Sequence, residues 1–222
     1  MLRLLDESAF GSAPLRRTPY EHVLVEDSVK EAYEASILAD APTIRAPGSF
    51  ALSSVRYGPG FAALLAELVD EPFRRIVESK FGIELHEYPT MITVRGYCSR
   101  ERDGDGYIHT DSRKKIITVL LYLNPGWTGG DGALRVLRSR DIDDCALEIP
   151  PEFGRMLIFR RCDHSWHARV PFEGPRLNLQ LNWVESRAYV RRELFRHRVS
   201  AFAKHFTLPR RVLSRLPRLG AS

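Results

Sequence analysis

Arg176-Leu177-Asn178-Leu179-Gln180-Leu181-Asn182-Trp183 alternates polar and apolar residues without a break. On an extended chain successive side chains point to opposite faces. One face therefore carries Arg176, Asn178, Gln180 and Asn182, and the other Leu177, Leu179, Leu181 and Trp183. The apolar face packs on helices or a second sheet, which leaves the polar face for a wet cavity. In the stretch 116–123, Thr118 and Tyr122 share one side and Ile117, Val119, Leu121 and Leu123 the other. Two strands whose polar sides converge point to a barrel with a reactive interior.

The chain around these strands has the same rhythm. From residue 91 onward, short runs are divided by Gly, Pro and Asp, and 91–95, 116–123, 133–137, 146–149, 156–159, 165–170 and 176–183 read as strands. Before them the reading is helical. Asp27 stands as the N-cap of a helix reaching about Leu38, and 61–69 and 72–81 form two more, the second stopped by Gly82. Residues 20–25 read as a strand, 41–60 with three prolines as a surface loop, and 1–18 as an irregular lead-in.

Candidate chemistry clusters on the β region. His109 and Asp111 are two apart, so an extended backbone sets an imidazole beside a carboxylate. One distal imidazole would complete two histidines and one carboxylate, a set that suits non-haem Fe(II) because positions remain open for a co-substrate and oxygen. Zinc with three protein ligands is the competing metal. His164 and His167 both fall in the right stretch. Their separation is odd, so on a strand they face opposite ways, and His167 shares the polar side with Ser165 and Arg169. Beyond them, Arg176 offers a planar fork for a carboxylate.

Tyr107-Ile108-His109-Thr110-Asp111, Leu121-Tyr122-Leu123-Asn124-Pro125-Gly126-Trp127, Gly154-Arg155-Met156-Leu157-Ile158-Phe159, Ser165-Trp166-His167 and Gly174-Pro175-Arg176 fall in that order. Together they resemble the 2-oxoglutarate/Fe(II)-dependent dioxygenases of the prolyl 4-hydroxylase-like branch. The resemblance implies an α+β, mainly β fold: a double-stranded β-helix (jelly roll) with flanking N-terminal helices and a C-terminal helix. It implies iron held by His109, Asp111 and His167, and co-substrate bound by Arg176 and Tyr122, with Tyr97 and Thr118 as further members of that group. Pro171, four residues after His167, matches the pattern too. The implied activity consumes 2-oxoglutarate and O2, with ascorbate as a supporting reductant. It releases succinate and CO2 and hydroxylates a small molecule, a glycan or lipid precursor, or a protein side chain. The acidic ligand at Asp111 favours hydroxylation over halogenation. One departure stands out: where the pattern has an aromatic six residues past the arginine, this chain has Asn182.

At 222 residues the simplest organisation is a single domain over 1–222, with a helical flank at about 20–90, a jelly-roll core at about 91–184 and a basic helical tail at about 186–222. No run approaches the length of a membrane span. The apolar run at the N-terminus breaks at Arg3 and Asp6, too early for a signal-peptide core. Cys98, Cys145 and Cys162 are odd in number and lack CxxC spacing, which reads as reduced thiols in a cytoplasmic protein. The net charge of +5 is uneven: residues 186–222 hold ten Lys or Arg against Glu193 alone, so residues 1–185 are net acidic. The tail places Phe195, Val199, Phe202 and Phe206 on one helical stripe, and the first expectation is that this stripe packs on the barrel. Contact with an anionic membrane surface ranks second, and nucleic acid is not expected. The alternative to an enzyme is a non-catalytic metal-binding jelly-roll module that docks through this tail.

Overall fold

The computed structural model describes residues 1–99 and 107–207, with side chains in the final helix as far as Val199. The glycine-rich stretch 103–106 and the last part of the basic tail, 208–222, lie outside the described residues, as do the side chains of Phe202 and Phe206. Among the described residues nine strands carry the core: β1 (His22–Val25), β2 (Phe50–Ala51), β3 (Thr90–Cys98), β4 (Lys115–Tyr122), β5 (Leu134–Leu137), β6 (Cys145–Ile149), β7 (Met156–Arg160), β8 (His167–Arg169) and β9 (Gly174–Val184). They form a six-stranded sheet, β1-β7-β4-β9-β3-β2, and a three-stranded sheet, β6-β5-β8. Every pairing in both is antiparallel. This is the expected double-stranded β-helix.

The alternation in β9 decides the layering. Leu179, Leu181 and Trp183 are buried against the helical side, where Phe73 lies 6.3 Å from the Trp183 ring. Two helices cover that face, α3 (Pro59–Val69) and α4 (Glu71–Phe81), through Phe61, Leu64, Leu68, Phe73 and Val77. Asp70 caps α4 by accepting from the Glu71 amide, and Gly82 ends it at φ 60°, a left-handed turn that glycine adopts without a Cβ penalty. The other sheet face meets the small sheet across a second core of Tyr20, Leu120, Tyr122, Leu134, Val136, Leu157 and Phe159.

Three stretches differ from the sequence reading, the first being 41–60, where Phe50 and Ala51 are buried in the edge strand β2 and not part of a surface loop. Residues 1–18 are not irregular: α1 (Glu7–Ser12) is capped by Asp6, and Leu2, Leu4, Leu5 and Phe10 enter the main core. The Glu67 carboxylate accepts from the Leu4 and Leu5 amides, so a long-range partner, invisible to local periodicity, pins the segment to α3. Nor does Asp27 cap a helix. Val29 bridges Leu5 and Ser28 hydrogen-bonds the Gly154 carbonyl, which keeps the chain extended until a 3-10 turn at Glu31–Tyr33 leads into α2 (Glu34–Ala39).

The tail is a long helix, α5 (Arg187–Thr207), but it packs with the other face. Tyr189, Val190 and Leu194 settle on Met91 and Val184, while Phe195 is 68% and Val199 53% exposed.

Candidate metal centre and co-substrate site

The polar rows read from β9 are in register with their neighbours. Asn182 lies between Thr118 and Met91, Gln180 between Leu120 and Thr93, and Asn178 between Tyr122 and Arg95. These rows floor a cavity of about 270 Å³ that opens between the sheets.

At one end of it, His109 and His167 exchange backbone hydrogen bonds of 3.1 and 3.0 Å, an isolated antiparallel bridge that extends the small sheet. Directly opposed residues on one face bring their side chains together, and the two imidazole centroids are 4.4 Å apart. Asp111 joins them, with a ligand atom from each of the three residues within 4.8 Å of the others. Each imidazole is fixed by a carbonyl: His109 Nδ1 by Tyr107 O at 2.8 Å, and His167 Nδ1 by Ser165 O at 3.0 Å. A carbonyl only accepts, so Nδ1 carries the proton and each Nε2 keeps its lone pair for a metal. Burial holds the His167 imidazole down at about 4, against the opposing pull of Asp111.

Asp111 is buried and held at both oxygens, by Lys115 Nζ at 2.7 Å on Oδ1 and by Thr118 Oγ1 at 2.6 Å on Oδ2. Burial alone would raise its carboxyl; the charge of Lys115 and the hydrogen bonds from Lys115 and Thr118 outweigh it and keep Asp111 ionised, well below the usual carboxylate range. Each oxygen still has a lone pair to give, so two imidazoles and one carboxylate fit a non-haem Fe(II) site.

Farther in, Arg176 is 4% exposed, with Nε donating to the Gly132 carbonyl at 2.9 Å and its guanidinium 4.9 Å over the Tyr122 ring. Gly132 has φ 75°, a left-handed conformation that favours glycine, and a Cβ there would crowd Trp127 at 3.0 Å and Phe172 at 3.2 Å. Among the described residues no carboxylate pairs with Arg176. A buried guanidinium without a carboxylate, facing a cavity, suits an anionic ligand. Burial pushes the Tyr122 hydroxyl up, so it stays protonated and able to donate.

His109, Asp111, His167, Arg176 and Tyr122 thus line one cavity. Two other expected members do not. Thr118 is fully buried behind Asp111, where its hydroxyl holds the carboxylate. Tyr97 is absent from the lining and Cys98 takes its place, because the β3–β9 pairing slips by one residue between Arg95 and Tyr97 and inverts the facing beyond. His164 is exposed and outside the site.

The structure also brings in residues that the sequence reading left outside the ligand set. A bulge between Lys115 and Ile117 turns Lys115 onto the cavity side. Arg169, two residues past His167 on β8, lines the cavity as well. So do Tyr189, Glu193, Arg196 and His197 of α5, which recur about every four residues along one helical stripe; that spacing was the signal available in the sequence.

The family model described as the 2OG-Fe(II) oxygenase superfamily matches residues 93–184. Over that span the chain is similar to the 2OG-Fe(II) oxygenase superfamily. The match holds all three candidate ligands, Arg176 and Tyr122, and Fe(II), 2-oxoglutarate and O2 are the cofactors it brings. No curated protein matches the sequence. Among solved structures, a Pseudomonas putida prolyl-4-hydroxylase is 14% identical over 80% of this chain and 90% of its own, at a TM-score of 0.50. A Phytophthora capsici prolyl 4-hydroxylase is 16% identical over 74% and 59%, at 0.52. A Trichoplax adhaerens prolyl hydroxylase, solved with a hypoxia inducible factor peptide, is 18% identical over 73% and 83%, at 0.50. At these identities the likeness is one of fold. The α5 wall lies beyond the matched residues.

Proposed function

We propose that this oxygenase is a hydroxylase that uses His109, Asp111 and His167 to hold Fe(II), and Arg176 with Tyr122 to seat the distal carboxylate of 2-oxoglutarate. The observation that carries the reading is the pinned pair of imidazoles beside an ionised carboxylate, at the edge of a cavity that also holds a buried arginine. When bound, iron with 2-oxoglutarate and O2 supplies an oxidant: the co-substrate leaves as succinate and CO2, and the second oxygen atom enters a C–H bond of the substrate. The chain's own part is placement. The Tyr107 and Ser165 carbonyls fix the imidazole tautomers, Lys115 and Thr118 orient the Asp111 carboxylate, and Arg176 sets the depth to which a dicarboxylate enters.

The substrate side of the cavity is polar. Gln180 and Asn182 stand on β9, Thr93 on β3 and Glu193 on α5. This supports a substrate that offers hydrogen-bonding groups next to the oxidised carbon, in place of the flat apolar ring that an aromatic at position 182 would grip. A small molecule, a glycan or lipid precursor, or a polar protein side chain meets that description. The test is succinate formation from 2-oxoglutarate in air with Fe(II). Slow uncoupled turnover in the wild type and its loss in Asp111→Ala is the expected result; equal turnover in both would sink the proposal.

A further inference from the structure

The outward face of α5 carries an apolar stripe that no part of the described chain covers. Phe195 and Val199 are 68% and 53% exposed, although the inward face of the same helix is packed through Tyr189, Val190 and Leu194. At 3.6 residues per turn, positions 188, 195, 199, 202 and 206 fall within about 60° of one another, and the backbone stays helical to Thr207. Arginines border the stripe on both sides, Arg191 and Arg198 on one and Arg192 and Arg196 on the other, with Arg192 and Arg196 some 70% exposed. The whole segment 186–222 carries +9, on a chain whose other residues are net acidic.

We infer that this face of α5 docks on an anionic lipid surface, with Phe195 and Val199 entering the interface and the flanking arginines meeting headgroup phosphates. Charge complementarity selects the partner, and the apolar stripe selects lipid over nucleic acid. A phosphate backbone rewards arginine but gives an exposed Phe and Val nothing to enter, whereas a bilayer interface rewards both. Arg198 also donates to Ser53 Oγ at 3.0 Å, which ties the helix to the jelly roll, so docking would hold the whole domain against the surface.

The test uses the full chain and two sets of vesicles, one of phosphatidylcholine alone and one with about a third replaced by phosphatidylglycerol. Co-sedimentation with the anionic set, weakened by added salt and near absent with the neutral set, is expected. The double variant Phe195→Ser/Val199→Ser should bind roughly tenfold more weakly. Both side chains are exposed and outside the cavity, so the variant keeps its fold, which an unchanged circular dichroism melt verifies. Failure to sediment with anionic vesicles overturns the inference. So does unaltered binding by the double variant, which would mean charge alone, or tighter binding to RNA than to vesicles.

Discussion

β9 and α5 each present one face to the same cavity, yet the sequence of β9 admits one facing and that of α5 admits two. In β9 the period is two and the sides are unlike: Leu179, Leu181 and Trp183 have the core to enter, and Arg176, Asn178, Gln180 and Asn182 do not. A slip of one residue would exchange all of them, so the register is strongly determined. α5 carries two apolar stripes, Tyr189 with Val190 and Leu194, and Phe195 with Val199. A helix with two candidate faces can turn either toward the protein, and the fit against Met91 and Val184 selects the first.

The largest effect that separates these regions is expected on the core side of β9. Trp183→Ala should destabilise the protein by about 3–5 kcal/mol in denaturant unfolding, since a fully buried ring would leave a cavity beside Phe73. Co-substrate affinity in the folded variant should change little.

One strand face over, the pattern should reverse. Arg176→Ala is expected to weaken 2-oxoglutarate binding by about 1.5–3 kcal/mol, tenfold or more by calorimetry, and to shift unfolding less than Trp183→Ala. Tyr122→Phe should do less, about 0.5–1.5 kcal/mol. If Arg176→Ala left affinity intact, the two faces of β9 would not divide stability from binding.

The smallest effect belongs to α5. Burial, with Arg196, Arg95 and Lys115 nearby and Glu193 opposing, pushes the His197 imidazole below its ordinary value of 6.5. The folded helix thus holds His197 neutral at a pH where the unfolded chain has taken a proton. The stability it contributes is present above 6.5 and lost as pH falls through the lower, folded value. Amide protection in α5, corrected for intrinsic exchange, should decline on acidification from neutral pH in the wild type. In His197→Gln that decline should flatten; an equal slope in both would place the titration elsewhere.

The inward row from Arg176 was legible because a regular strand, β9, carries it with a period of two. The spacings that picked out His109, Asp111 and His167 led to the right cluster, although His109 sits on an isolated bridge and His164 in a turn. What failed did so where that period breaks or a distant partner decides. A register shift exchanged Tyr97 for Cys98, a bulge brought in Lys115, and Glu67 captured the N-terminal segment that looked irregular. Neither shift leaves a mark in local hydrophobic alternation, because a bulge is set by the strand opposite.

Anaerobic Fe(II) stoichiometry across four proteins tests the metal assignment most directly. Wild type and His164→Ala should each bind one Fe(II) per chain, whereas Asp111→Ala and His167→Ala should bind none, since two of three ligands make a deficient site. Full iron in His167→Ala with loss in His164→Ala, or undiminished iron in Asp111→Ala, would contradict it.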